Sequence, residues 1–141
     1  MAGISTTFAN HVLDAILGAG YTPPATVYAA LTTVAPTAAM TGSTITEPSQ
    51  AQYSGYARVA VTNNATNWPA ASGGAKSNGT AITFPTSAGG ASSPVTVSWF
   101  AICDAVTAGN LITFGALTTA QSIANGDTPS FAVGALSFSE S

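Results

Sequence analysis

The sequence predicts a mainly β protein, an antiparallel β-sandwich or jelly roll with one short N-terminal α-helix. A helical spacing of apolar residues is clear only near the N-terminus. From residue 25 onward, short segments rich in Val, Thr, Tyr and Phe alternate with Gly, Pro, Asn and Ser turns, which is typical of such folds. Neither an internal repeat nor a linker divides the 141 residues, so a single domain, 1–141, is the simplest organisation.

The helix is predicted at about residues 7–18. One of the Ser and Thr residues at 5–7 can cap its N-terminus, and Phe8, Val12 and Ile16 recur on one face. A glycine just after this stretch can end the helix in a left-handed conformation. Two consecutive prolines at 23–24 then prevent the helix from continuing.

The strands are predicted within residues 25–138, with long loops in the first half. Ala25–Thr33, Tyr56–Thr62 and Thr80–Phe84 carry the strand composition. Ala35–Tyr53 and Asn63–Gly79 are polar loops. Because loops of this length are often functional or ordered by a partner, the first of them is a candidate contact element.

The second half is the clearest β region. Val95–Cys103 is apolar on both faces towards its end, which predicts a central strand, and Trp99 falls in phase with Val95 and Val97 and is therefore predicted to be core. Leu111–Leu117 can pair back antiparallel. An Asn-Gly-Asp turn at 125–127 precedes the last predicted strand, Ser130–Phe138.

The charged fraction is the most unusual property of the chain. It is 5%, against about 25% in a typical soluble domain. A surface of Thr, Ser, Asn, Gln, Ala and Gly is easily desolvated and repels its own copies weakly. Such a surface suits a subunit that is buried in an assembly, although a monomer kept in solution by hydroxyls and amides has the same composition.

Composition also excludes several classes of protein. Two basic residues and a net charge of −3 argue against binding to nucleic acid or to anionic membranes. One cysteine and one histidine exclude an intrachain disulfide, a Cys-rich zinc site and a His pair, and we expect no cofactor. The sequence has no apolar run of about 20 residues and no signal-peptide pattern, so we expect synthesis in a host cytoplasm.

Residues with catalytic potential have simpler interpretations. His11 has only Asp14 nearby, at an ordinary helix-surface spacing. Cys103 lies in an apolar strand, where a lone thiol behaves as a small hydrophobe. A paired-carboxylate catalytic site or a calcium site could be formed by the acidic residues Asp104, Asp127 and Glu140. However, the first two fall at predicted turns, where an Asp side chain usually bonds to its own backbone. The sequence therefore predicts a protein that is not an enzyme.

Aromatic residues near the loops are the better candidates for a binding role. Tyr53, Tyr56 and Trp68 could line a sugar site or anchor a subunit interface, and we favour the interface because Tyr and Trp are enriched there. Arg58 can supply one defined ion pair, which we expect to cross between subunits. The complete set of interface candidates is Phe8, Val12, Tyr53, Tyr56, Arg58 and Trp68.

Several segments together resemble a family of small tailed-bacteriophage virion proteins. The N-terminal run TFANHVLDAILGAGYTPPATVYAALTT resembles the start of that family, and GYARVAVT, SNGTAITFP, FAICDAVTAGNLITFGALTT and IANGDTPSFAVGALSF fit the same order. Members are often labelled tail-fibre proteins, and they are similar to small β proteins that decorate or cement capsids. No catalytic motif carries over. Ala35–Tyr53 and Asn63–Lys76 match nothing, which implies that these loops differ between phages.

The resemblance implies a structural protein located in the virion. We expect a capsid-associated decoration or cement protein that forms a homo-oligomer, with a trimer favoured, over junctions of the major capsid protein. One alternative is a tail or fibre component that contacts the host surface. Another is a lectin-like binding module.

Overall fold

A computed structural model describes residues 2–18 and 20–139 of the chain. It confirms the mainly β class with one N-terminal helix. In chain order the elements are β1 (Gly3–Ile4), α1 (Thr6–Ile16), β2 (Thr26–Thr32), β3 (Val59–Thr62), β4 (Ala75–Ser77), β5 (Ile82–Thr83), β6 (Val95–Cys103), β7 (Leu111–Ile123), β8 (Ser130–Phe131) and β9 (Ser137–Ser139).

The sheets are antiparallel throughout the described residues. Five strands form the main sheet in the order β1-β7-β6-β2-β3, so the predicted central strand β6 does lie in the middle. Two short ribbons, β4-β9 and β5-β8, pair separately. The ribbons contact the main sheet through β7 and β3, so the second layer of the sandwich consists of two ribbons instead of one continuous sheet.

The two faces of the main sheet carry two separate apolar clusters. The larger cluster includes Leu31, Val97 and Phe100 and extends to the ribbon residues. The smaller cluster lies on the opposite face around Ala101 and Cys103. Burial on both faces explains why β6 is apolar in almost every position near its end.

The ends of α1 follow its sequence signals. The helix begins at Thr6, one residue before the predicted boundary, because Ser5 is the N-cap and its Oγ accepts a hydrogen bond from the Phe8 backbone N–H at 3.2 Å. It ends at Ile16, and Gly18 follows with a φ of 112°. That left-handed conformation is accessible to glycine with little strain.

Three predictions about the β region are corrected. Asn63–Gly79 is not a loop throughout, because it contains β4. Trp99 is only half-buried, because a bulge between Val97 and Trp99 reverses the alternation and places Phe100 in the core instead. Ser130–Phe138 is not one strand: it divides into β8 and β9, with Gly134 at a φ of 78° in the turn between them.

The loop Ala35–Tyr53 is confirmed as a loop, but the chain itself orders it. Ile45 is buried against the smaller cluster, and Tyr53 is completely buried in the larger one. The Gly42 N–H donates to the Gly109 carbonyl at 3.0 Å, and the Thr33 N–H donates to the Thr46 carbonyl at 2.9 Å. The loop therefore forms part of the core of this chain without the help of a partner.

Candidate interaction surface

Helix α1 exposes most of its apolar side chains. Phe8 is buried, with 8% of its surface exposed. The remaining four large apolar residues of this region are exposed to solvent: Val12 by 46%, Leu13 by 55%, Ile16 by 72% and Leu17 by 79%. Burying an aliphatic side chain fully removes roughly 60–120 Å² of apolar surface from water, so these four expose on the order of 200–300 Å². The concentration of this apolar area on one helix makes α1 a candidate contact surface.

An apolar groove runs beside α1 and encloses about 530 Å³. Its floor is the main sheet, through Val27, Ile102 and Ile112. One wall is α1 and the other is the β4-β9 ribbon with the loop before it. We call this cavity the α1 groove; it is lined by Ile4, Phe8, His11, Val12, Ala15, Ile16, Tyr21, Pro23, Pro24, Val27, Asn63, Trp68, Ala71, Gly74, Lys76, Ile102, Ile112, Thr113, Phe138 and Ser139.

Aromatic packing fixes the α1 side of the groove. The rings of His11 and Tyr21 stack with centroids 4.3 Å apart and planes within 11° of parallel. Phe8 meets both rings edge-on, at 5.3 Å from His11 and 5.7 Å from Tyr21. Because His11 is held between two aromatic side chains, its role here is to pack, which agrees with the structural interpretation of this residue.

Trp68 forms part of the opposite wall. Only 6% of it is exposed, and its ring lies 6.3 Å from that of Phe138. No atom of the described residues accepts a hydrogen bond from its buried indole Nε1–H. A buried donor without an acceptor is costly, so this N–H is a polar group of the groove wall that the described residues leave unsatisfied.

Two charged residues border this surface. Asp14 is exposed on α1, next in sequence to Leu13. Lys76 lines the groove, and its Nζ donates a hydrogen bond to the Pro69 carbonyl at 2.9 Å. The surface thus carries one carboxylate on the helix and one ammonium group on the groove.

A second cluster surrounds Arg58, whose guanidinium uses all five of its N–H donors. Nε and Nη2 donate to the Glu47 carboxylate, with the shortest contact at 2.7 Å. The remaining donors reach backbone carbonyls at Ala105, Ala108 and Gly42, at 2.9, 3.0 and 2.6 Å. Arg58 therefore joins two separate loop segments within the chain, and the ion pair expected between subunits is an intrachain pair.

Tyr56 extends this network into the main sheet. Its hydroxyl donates to Glu47 Oε1 at 2.6 Å and accepts from the Leu31 backbone N–H at 3.0 Å. Burial, followed by the neighbouring Glu47 carboxylate, raises the pKa of Tyr56 well above its ordinary value of 10.0. The hydroxyl stays protonated and keeps donating under all ordinary conditions.

The acidic residues at turns bond locally, as their positions predict. Asp104 accepts from the backbone N–H of Asn110 at 2.7 Å, and Asp127 accepts from the N–H of Ala124 at 2.8 Å. Glu140 lies outside the described residues. Within residues 2–18 and 20–139, no three His, Cys, Asp or Glu side chains come together as a metal site. In the same part of the chain, no helix is long and apolar enough to cross a bilayer.

Cys103 is buried at the end of β6, as the interpretation of a small hydrophobe predicts. Burial raises the pKa of its thiol from 9.0 to about 11, although the nearby Arg58 charge acts in the opposite direction. The folded chain therefore holds this proton more tightly than the unfolded chain does.

We expect this thiol to make folding stability depend on pH between 9 and 11. Below pH 9 the thiol is protonated in both the folded and the unfolded chain, so its contribution to stability is fully present. As the pH rises towards 11, the unfolded chain loses this proton first, and the free energy of unfolding falls by about 1.4 kcal/mol per pH unit. Urea unfolding at a series of pH values measures this slope. Between pH 9 and 10, below the range in which Tyr56 of the unfolded chain loses its proton, Cys103→Ala should flatten this slope, and an unchanged slope there would contradict the assignment.

The six interface candidates divide by exposure. Phe8, Tyr53, Arg58 and Trp68 are buried within the chain, and Tyr56 is half-buried. Val12 is the exposed member of the set. A role for any of them in an interface stays a prediction, but four of the six side chains are already enclosed by their own chain.

Sequence reasoning missed the groove and its border. Lys76 received no role, and Tyr21 was considered only as one of several aromatic residues that could stack on a sugar. Leu13 and Leu17 lie beside the apolar face of the helix, and their exposure was not predicted. The available signal was that the helix has apolar residues on more than one side, more than a short chain can cover.

Fold and surface together define a small antiparallel β protein with an exposed apolar contact surface at its N-terminal helix. A family model described as "Podophage GP4 fiber I protein gp80" matches residues 3–139. The chain therefore belongs to this family, and it is a fibre-type structural protein of a tailed phage. A search of curated proteins finds no match.

Proposed function

We propose that this virion protein is a capsid-associated accessory subunit that binds over junctions of the major capsid protein and stabilises the lattice. The observation that supports a role in an assembly is the exposed apolar surface of α1, since a monomer gains nothing from leaving Leu13, Ile16 and Leu17 in water. A charged fraction of 5% supports the same role, because few ions must be desolvated when such a surface is covered.

The proposed mechanism is mechanical and needs no catalysis. The chain folds around its own core, including the loop Ala35–Tyr53, so it can add to a lattice as a preformed part. Each bound copy buries apolar surface worth about 25 cal/mol per Å². Binding to the assembled lattice, and not to dispersed capsid subunits, shifts the equilibrium towards the lattice.

Capsid stability tests this function. Particles that lack the protein should lose DNA at a lower temperature than intact particles. When the salt concentration is lowered, they should lose DNA while it is still higher than the concentration at which intact particles fail. Adding back the purified protein should restore the stability of intact particles. A cryo-EM reconstruction of the particle gives the position independently. Stripped particles as stable as intact ones would end the cementing proposal.

A fibre or tail component that contacts the host surface is the second candidate, because the family description itself names a fibre protein. Density confined to the tail or to a fibre in the same reconstruction would favour this function over the first. The lectin-like alternative is weaker. Tyr53 and Trp68, two of its proposed stacking residues, are buried in the core and cannot meet a sugar without rearrangement.

A further inference from the structure

We propose that the α1 groove binds a second copy of this chain, with Leu13 and Leu17 of one copy inserted into the groove of the other. This inference rests on the proposed role as a subunit of an assembly, and it assigns the partner of the α1 surface. Both parts of the contact lie on the same chain: an exposed apolar ridge on the helix and an apolar cavity beside it.

The ridge is formed by residues that the groove of the same chain does not use. Val12 and Ile16 line the groove, whereas Leu13 and Leu17 lie one residue further along, about 100° around the helix. Leu13 and Leu17 are four residues apart and therefore lie one above the other on one face. They point away from the cavity that their own helix walls, which leaves them for a neighbour.

The size of the cavity fits such side chains. An apolar cavity of about 150 Å³ holds a molecule as large as benzene. The α1 groove encloses about 530 Å³, and most of its lining residues are apolar or aromatic. It has room for two leucine side chains together with part of a helix.

Charge complementarity also favours a second copy. Asp14 follows Leu13 in sequence, about 100° around the helix, and Lys76 lines the groove that would receive the two leucines. Insertion of the ridge brings the carboxylate of one copy towards the ammonium group of the other. The rest of the contact is uncharged, and a net charge of −3 per chain opposes association only weakly.

The exposed area has the right scale for the centre of an interface. The four exposed residues of α1 present on the order of 200–300 Å² of apolar surface. A stable interface buries about 800 Å² on each partner, with an apolar centre and a polar rim. The α1 ridge and groove would supply that centre, and the Ser- and Thr-rich surface around them would supply the rim.

Sedimentation equilibrium of the purified full chain over a dilution series tests the inference. We expect the wild-type mass to rise above 13.9 kDa to two or three times that value. The double variant Leu13→Glu/Leu17→Glu should weaken self-association by a factor on the order of 100 or more. Because both residues are exposed, the fold should persist, which circular dichroism checks. Val34→Glu, at an exposed apolar residue outside the groove, is the matched control and should associate as the wild type does.

A charge reversal then tests the contact itself. Asp14→Lys and Lys76→Asp should each weaken association several-fold, and the combination of the two should restore much of the loss, since the pair is re-formed with opposite signs. If the two losses of association were additive in the double variant, Asp14 and Lys76 would not meet across the interface, and this arrangement of the two copies would be wrong.

A chain that stays at 13.9 kDa at every concentration, or a leucine variant that associates like the wild type, would also overturn the inference. Neither result bears on the capsid function, which is measured on particles. Conversely, self-association with unchanged particle stability would leave the inference intact and remove the capsid function.

Discussion

Replacing Arg58 with alanine should lower the free energy of unfolding by about 3–5 kcal/mol, the range found when one partner of a buried ion pair is removed. The substitution leaves Glu47 without its cation and leaves the carbonyls of Gly42, Ala105 and Ala108 without donors. Gly42 is buried, and Glu47 and Ala105 are half-buried, so much of the lost hydrogen bonding is not recovered from water.

The effect should be specific to the geometry of the guanidinium. Arg58→Lys retains the charge but has three donors instead of five, so we expect an intermediate loss. Lys76→Ala is the matched control, because Lys76 is the other basic residue and its hydrogen bond to Pro69 lies at the surface. Its change should stay within about 1 kcal/mol.

Urea unfolding measures all three variants, at a protein concentration where they share one oligomeric state. If Arg58→Ala were no more destabilising than Lys76→Ala, the five-donor network would contribute little, and the loops it joins would be held by other contacts. A preserved fold with weakened self-association would instead return Arg58 to the interface for which its sequence first suggested it.

The strongest parts of the fold prediction were the segments whose hydrophobic pattern is long and uninterrupted. Val95–Cys103 was predicted with the bounds that β6 has, because both of its faces are buried. The helix was placed within two residues at each end, because Ser5 and the glycine at 18 are local signals. Such features depend on residues that are close in sequence, so one sequence is enough to predict them.

Features that depend on distant residues could not be predicted in the same way. The bulge after Val97 exchanges the faces of Trp99 and Phe100, and it exists because β6 must pair with β7 on one side. Arg58 meets carbonyls up to 50 residues away in sequence. Neither the exchange of faces at the bulge nor the cluster of carbonyls around Arg58 can be recognised in the local sequence pattern.

The candidate site was half predicted for a physical reason. The pattern of an amphipathic helix predicts that its apolar face will be buried, but it does not predict which surface will cover that face. Val12 was therefore named as a contact candidate, which stays a prediction, while the cavity beside it, formed by the main sheet and the β4-β9 ribbon, could be found only in the folded chain. The same pattern would arise whether the helix packs on its own sheet or on a neighbour.

Trp68→Ala should be the other strongly destabilising substitution, with an expected loss of about 3–5 kcal/mol. Trp68 is 6% exposed and belongs to the larger core cluster, where it packs against Phe138. Removing the indole leaves a cavity that backbone segments anchored by other hydrogen bonds cannot close. Thermal and urea unfolding measure the loss.

Trp68→Phe separates packing from polarity. Phenylalanine keeps a ring in the wall of the groove and removes the buried Nε1–H, which has no acceptor among the described residues. We therefore expect a much smaller loss, since the energy of an unsatisfied donor offsets part of the lost packing. If Trp68→Phe were as destabilising as Trp68→Ala, a phenyl ring would not replace the packing of the indole, and this expectation would be wrong.

This pair of variants also bears on the lectin-like alternative. Loss of sugar binding in Trp68→Ala alone would not identify a stacking residue, because an unfolded chain loses every ligand. Sugar binding that the wild type shows and a folded Trp68→Phe loses would identify the indole N–H as a sugar ligand, since both rings can stack but only the indole can donate. An absence of sugar binding in both chains, together with instability of Trp68→Ala, would assign this side chain to the core.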